Sequence, residues 1–270
     1  MGRYFRNTNF LIGSIILSLM LILLVVSFFH TPYDVTAMDL AHKLEKPSAE
    51  HLLGTDQFGR DIMSRMMKGV EVSILIGFTA VLSGLVFGLL IGSFSGYFGG
   101  RLDEVVMKLI DTLMAFPGVL LAMMLIAVFG NGLLNTIIAL SVMAVPRFAR
   151  IARSGYMELR DSDFVKAERI RGAGCLRIMY LHILPNIMSE LIATASLSFA
   201  SAIMSEAGLS YLGLGMQPPS PSLGIMLSEA QDYMLRAPWY VLIPTVTIAL
   251  LVIAFNLIGA GLQEMNGGDR

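Results

Sequence analysis

Residues able to do chemistry are few and dispersed in this chain of 270 amino acids. Its one cysteine, Cys175, leaves no intrachain disulfide. The four histidines, His30, His42, His51 and His182, share no metal-ligand spacing, and no metal site is assigned. There is no G-x-S-x-G, no H-E-x-x-H and no G-x-x-x-x-G-K-[ST]. The sequence therefore offers neither a hydrolase centre nor a phosphate-binding loop for ATP. What remains is charge in unusual places. Asp56, Arg60, Asp61 and Arg65 alternate in sign. They can form a solvated ion-pair network capping helix ends, of the individually weak surface kind, or a docking surface for a partner. Asp111, Glu190 and Glu206 fall in or beside apolar runs, where an ionisable group marks function by default. A structural partner such as Lys108 is the expectation for Asp111, and an interfacial position for Glu190 and Glu206.

The elements that must position these residues are apolar. The chain is 55% hydrophobic and 14% charged, with a mean hydropathy of +0.71. A soluble domain carries roughly 25% charged residues. A larger water-soluble core would still need a polar shell, so lipid is the solvent for much of the surface. A net charge of −1 gives no reason to expect nucleic acid. A bilayer-spanning helix needs about 20 mainly apolar residues. Six segments qualify, at about 9–29, 70–97, 105–129, 133–152, 187–205 and 240–262. The first follows Arg3 and Arg6, as a signal peptide would. It is longer than an apolar signal core of roughly 7–15 residues and lacks a small-x-small cleavage site, which predicts a retained helix. Backbone groups in hydrocarbon must be satisfied within the segment, so all six are predicted to be helices. Pro117, Pro146 and Pro244 each remove a helical hydrogen bond, predicting kinks or helix ends.

The fold expected is all-α and transmembrane, with no internal repeat. Orientation follows the basic residues near helix ends. Arg147, Arg150, Arg153, Arg160, Lys166, Arg169, Arg171 and Arg177 lie between the fourth and fifth helices, against Arg236 alone after the fifth. The first of these segments is predicted to be cytoplasmic, the second external and both termini internal. Lys43, Lys46, Arg60, Arg65 and Lys68 then lie outside, against the rule, in a long loop that also carries acids. The organisation expected is a first helix with an external loop (1–69), a five-helix core (70–262) and a cytoplasmic tail (263–270). Within the core lie a cytoplasmic segment, 153–186, and an external one, 207–239.

Gly84, Gly88, Gly92 and Gly96 recur every four residues and make one smooth helix face. Such a face packs either inside the subunit or against another subunit. In the cytoplasmic segment, Asp161 or Ser162 can cap a helix beginning near Asp163. Phe164, Ala167 and Ile170, with Val165 added, form a short apolar stripe. Gly172 ends that helix at a turn that a side chain would block, and a second helix starts near Cys175. By spacing alone this is either a docking knob or an interfacial helix lying on lipid.

This segment resembles the E-A-A, three residues, G, nine residues, I-x-L-P motif of ATP-binding-cassette (ABC) importer permeases. Ala167, Gly172, Leu184 and Pro185 match it, whereas Lys166, Glu168 and His182 depart from it. The stretch from His51 to Arg65 is similar to H-x-L-G-T-D-x-x-G-R-D-x-x-S-R of the dipeptide, oligopeptide and nickel permeases, C-type partner. Leu209, Ser210, Tyr211, Leu212, Gly213, Leu214 and Gly215, then Pro218-Pro219 and Gly224-Ile225-Met226-Leu227, resemble that family's external loop, with Tyr211 and Leu223 as departures. Gly99 to Glu104, Asp111 and Phe116-Pro117 also fit, so the resemblance runs from about residue 32 to 258.

The resemblance implies one permease half of a type I, binding-protein-dependent importer in the bacterial inner membrane. It implies a homologous B-type permease, two ATP-binding subunits and an extracytoplasmic solute-binding protein as partners. ATP and magnesium would be bound on those partners, with no cofactor in this chain. Phe164, Val165, Ala167, Glu168, Arg169, Gly172, Leu184 and Pro185 would couple to the ATPase. Asp56, Arg60, Asp61, Leu212, Gly213 and Gly215 would serve external docking or gating. Peptides are the solute expected, with nickel or a metal chelate as the alternative. A channel is disfavoured because no filter-like motif repeats, and a secondary transporter because no two halves are alike.

Overall fold

A computed structural model describes residues 7–267, and these fold as helices joined by turns, with no strand among them. Arg3 and Arg6, and the last residues of the expected tail, lie outside the described residues. In order, α1 is Thr8–Phe29, α2 Ile62–Phe98, α3 Gly100–Ala115, α4 Gly118–Phe129 and α5 Leu133–Leu159. Then come α6 Asp163–Ile170, α7 Cys175–Arg177, a π turn Ile178–Ile183, α8 Leu184–Tyr211, α9 Leu223–Ala230 and α10 Pro238–Gly267.

Five of these helical stretches are long and apolar enough to cross a membrane, and α3 with α4 forms a sixth candidate bent by 90°. The bend falls at Phe116-Pro117, where proline cannot donate to the helix. This pair is a broken span and not a re-entrant loop, because its ends reach opposite ends of α5. Asp103 near the start of α3 pairs with Arg153, late in α5, while α4 returns to the start of α5 through a glycine turn. The start of α1 and the end of α10 lie together: the Asn7 and Asn9 amides both donate to Glu264, at 2.7 and 3.0 Å.

The glycine face of α2 explains the closest helix pair. A Cβ on Gly92 would sit 2.2 Å from the Ala149 carbonyl oxygen, and one on Gly96 2.5 Å from that of Arg153. Gly84 and Gly88 likewise meet Ala144 and Phe148, all on α5. Without side chains, α2 approaches the α5 backbone directly, the way membrane helices gain packing when hydrophobic exclusion is absent. The α2–α5 pair is therefore one closely packed unit running from the 30–61 segment to the segment that holds α6. α1 packs on α10 and leaves Ile15, Leu19 and Ile22 facing outward, as lipid contact requires.

Several boundaries differ from the sequence expectation: α5 runs on to Leu159 and α8 to Tyr211, past 152 and 205, and two helix starts move furthest. α2 begins at Ile62, not near residue 70, because Asp61 caps it: its carboxylate accepts from the Ser64 N–H and hydroxyl, each at 2.7 Å. The fifth crossing begins at Cys175, since α7, the π turn and α8 run on as one helical stretch, Cys175–Tyr211. The wider π turn accommodates Pro185, and the carbonyl of His182 is taken by the Asn186 amide at 2.6 Å.

Candidate functional site

Two built regions stand at opposite ends of the α2–α5 unit. On the side of the arginine-rich segment, α6 forms a knob. Its N-cap is Ser162, whose hydroxyl turns back to donate to the Leu159 carbonyl and leaves the cap unmade, while Asp163 complements the positive helix end. Phe164, Ala167 and Ile170 point outward, and Ile170 is 88% exposed. Val165 is not part of this stripe: it is buried in the core that also holds Ile178, Met179 and Ile183. Arg169 donates to the Arg160 carbonyl at 3.1 Å and lies over the Tyr97 ring, joining the knob to the ends of α5 and α2. Glu168 pairs with Arg171 at 2.8 Å and lies 3.8 Å from His182, so two departures from the family motif face each other. Leu184 is half-buried and Pro185 exposed.

Gly172 closes α6 in a Schellman turn. It has φ of +82°, its N–H donates to the Arg169 carbonyl, and that of Ala173 to the Glu168 carbonyl, both at 3.0 Å. A Cβ there would meet nothing within 4 Å. The expectation that a side chain would block the turn is thus corrected: what the position demands is the left-handed backbone, which costs another residue about 1–2 kcal/mol.

At the other end, residues 30–61 fold into a small cap over α2 and α9. The Thr55 hydroxyl accepts from the Glu45 N–H at 2.9 Å, and both Gly54 and Gly59 take positive φ where a Cβ would strike backbone. Asp56 folds its own turn, its carboxylate accepting the N–H groups of Phe58 and Arg60 at 2.8 and 2.9 Å. Arg60 reaches Asp56 and, at 2.9 Å, Glu229 of α9. Arg65 lies 3.5 Å from Asp56 and 3.1 Å from Glu229, with a further bond to the Val35 carbonyl. The Tyr240 hydroxyl bonds Glu229 and Gln57, and His51 bonds Asp61 at 3.0 Å. Burial lowers the Arg60 guanidinium's preference for charge, but Asp56 and Glu229 more than offset it and hold its pKa above the ordinary value.

These side chains are buried: Asp56 is 0% and Arg65 1% exposed. The expected solvated network is therefore wrong, and Asp56, Arg60 and Asp61 cannot themselves be a docking face. They brace the cap from within, because two cations and two anions withdrawn together from water must satisfy one another. The accessible groups nearby are Met38, Leu40 and Leu52, and, in the 207–239 segment, Leu212 and Gly213. Gly215 is buried against Ser210.

Sequence reasoning misassigned the partner of one acid and missed another acid. Asp111 bonds Arg150 of α5 at 2.6 Å, whereas Lys108 pairs with Glu104, one helical turn away. Glu206, expected at an interface, is fully buried among the helices. Asp103, held by Arg153 and the Ser95 hydroxyl, joins α3, α5 and α2 across separations that no local pattern reports. Among the described residues, no three His, Cys, Asp or Glu side chains converge to hold a metal.

Residues 88–266 match the family described as the binding-protein-dependent transport system inner membrane component. The chain is 43% identical over 239 residues to the di/tripeptide transport system permease protein DppC of Pseudomonas aeruginosa, covering 86% of this chain and 79% of that one. It is 38% identical over 259 residues to the dipeptide transport system permease protein DppC of Alkalihalophilus pseudofirmus, with coverages of 96% and 85%. It is 37% identical over 263 residues to the glutathione transport system permease protein GsiD of Escherichia coli, with coverages of 97% and 87%. Among solved structures, an inward-facing MetNI methionine ABC transporter superposes with a TM-score of 0.62 at 22% identity, over 77% of this chain and 98% of that chain; this similarity concerns the fold.

Proposed function

Because the chain belongs to the family of binding-protein-dependent inner-membrane transport components, we propose that it is the C-type permease half of an importer for di- and tripeptides. It is an integral inner-membrane permease of an ABC importer and not an enzyme. A permease of this kind works with ATPase and other subunits. In our reading these are a B-type permease, two ATP-binding subunits that carry ATP and magnesium, and an extracytoplasmic peptide-binding protein.

The observation that carries the solute is the near full-length similarity to permeases named for dipeptides and di/tripeptides. The glutathione permeases are consistent with it, since glutathione is itself a modified tripeptide. The test is uptake of a labelled dipeptide by cells lacking the chromosomal permease and carrying this chain with its partners. Uptake should appear with the chain, fall with excess unlabelled tripeptide and be indifferent to excess nickel. Nickel accumulation without dipeptide uptake would overturn the peptide assignment.

We place α6 in the cytoplasm, with both termini there and residues 30–61 and 212–222 outside. This orientation is supported by the six crossings, the Asn7–Glu264 contact and the arginines around α6. In a Cys175→Ser background, Ser220→Cys should react with an impermeant maleimide in intact cells, and Ser162→Cys only after lysis. Reaction of both from outside would refute the topology.

A further inference from the structure

One buried acid has no part in the knob or the brace. Glu206 lies one and a half turns before the end of α8, is 0% exposed and pairs with no basic side chain among the described residues. Its carboxyl is held by hydroxyls instead. Ser73 of α2 donates to one oxygen at 2.7 Å and Ser210 to the other at 2.8 Å. Ser222, whose hydroxyl caps α9, faces the same carboxyl. Ser210 in turn accepts the Met216 N–H at 3.3 Å. The loop after α8 folds back so closely over Ser210 that a Cβ on Gly215 would lie 2.2 Å from its hydroxyl oxygen. One carboxyl therefore joins α2, α8, the cap of α9 and the external loop.

A lone carboxyl at such depth is costly to keep, and an apolar residue would pack there at less cost. Its retention calls for a task that apolar packing cannot do. We propose that Glu206 is the positioning residue of the external loop: through Ser210 it fixes residues 212–216, and through Ser73 it makes that loop follow α2. Since α2 is packed backbone to backbone on α5, and α5 leads into α6, the loop is then tied to the element that faces the opposite side. The placement stands on geometry alone, and its meaning for transport rests on the permease reading.

The test uses the assembled transporter in proteoliposomes, in a Cys175→Ser background, with Met216→Cys as a reporter. Met216 packs on the apolar cluster around Leu209 and should label slowly. Glu206→Ala should speed labelling by an impermeant maleimide at least tenfold and raise the binding-protein concentration needed for half-maximal uptake. Glu206→Gln should stay within twofold of wild type on both, because an amide keeps an acceptor and the serine hydroxyls can rotate to meet its donors. Ser210→Ala cuts only the link to the loop and should reproduce the fast labelling, which decides the matter should Glu206→Ala fail to assemble. Slow labelling in both Glu206→Ala and Ser210→Ala, or Glu206→Gln behaving as Glu206→Ala, would overturn the proposal. The labelling pattern without peptide uptake by the wild type would overturn the peptide reading and leave the positioning role standing.

Discussion

Replacing Arg65 with Met is expected to destabilise the chain by about 3–5 kcal/mol, the cost of removing one partner from a buried ion cluster. The methionine fills much of the volume, so packing is largely preserved. What is lost is charge balance: Asp56 and Glu229 would face Arg60 alone, in a site where Asp56 is 0% exposed. Glu229 would keep its bonds from Arg60 and Tyr240, whereas Val35 would lose its side-chain donor. Arg65→Lys keeps the charge but not the fork that reaches two acids and a carbonyl, so its loss should be clearly smaller. Thermal unfolding of the purified chain measures this, with a drop on the order of 10 °C for Met. A Met variant as stable as wild type would mean that the cluster does not hold the 30–61 cap to α2 and α9.

That cluster also shows what the sequence could and could not reveal. The charged residues, their order and the neighbouring glycines were visible in the stretch from His51 to Arg65. Their burial was not, because it depends on Glu229 and Tyr240, far along the chain and with no spacing relation to the motif. Helix existence was legible from apolar runs, and the break at Pro117 from the chemistry of proline. The start of α2 was missed because the segment after Asp61 carries Arg65 and Lys68 and looks like loop; its cap and its buried guanidinium make it helix. The four-residue glycine spacing announced a contact face but not its partner, which the structure supplies as α5. In α6 the outward stripe of Phe164, Ala167 and Ile170 followed from period alone, while the inward turn of Val165 required the π turn behind it. Asp111 and Glu206 were flagged by their setting, yet their partners, Arg150 and Ser73, come from other helices and lie beyond any local pattern.

The second large effect concerns that outward stripe. Ala167 is exposed on the knob, between Phe164 and Ile170, and makes no side-chain bond within the subunit. An arginine there leaves the fold of this chain alone. In a packed apolar contact with an ATPase it would bury an unpaired charge, costing about 3–5 kcal/mol, or at least a hundredfold in association. Were α6 only an interfacial helix on lipid, the same arginine would be tolerated or favoured by anionic headgroups. The measurement is ATP-driven dipeptide uptake into proteoliposomes containing this chain, the second permease, both ATPases and the binding protein, with ATPase co-purification read on the same samples. With the wild-type chain, uptake should require ATP and the ATPases together. With Ala167→Arg, both uptake and ATPase recovery should fall at least a hundredfold while the permease pair inserts normally. Normal uptake and ATPase recovery with Ala167→Arg, or wild-type uptake that proceeds without ATP, would contradict the account.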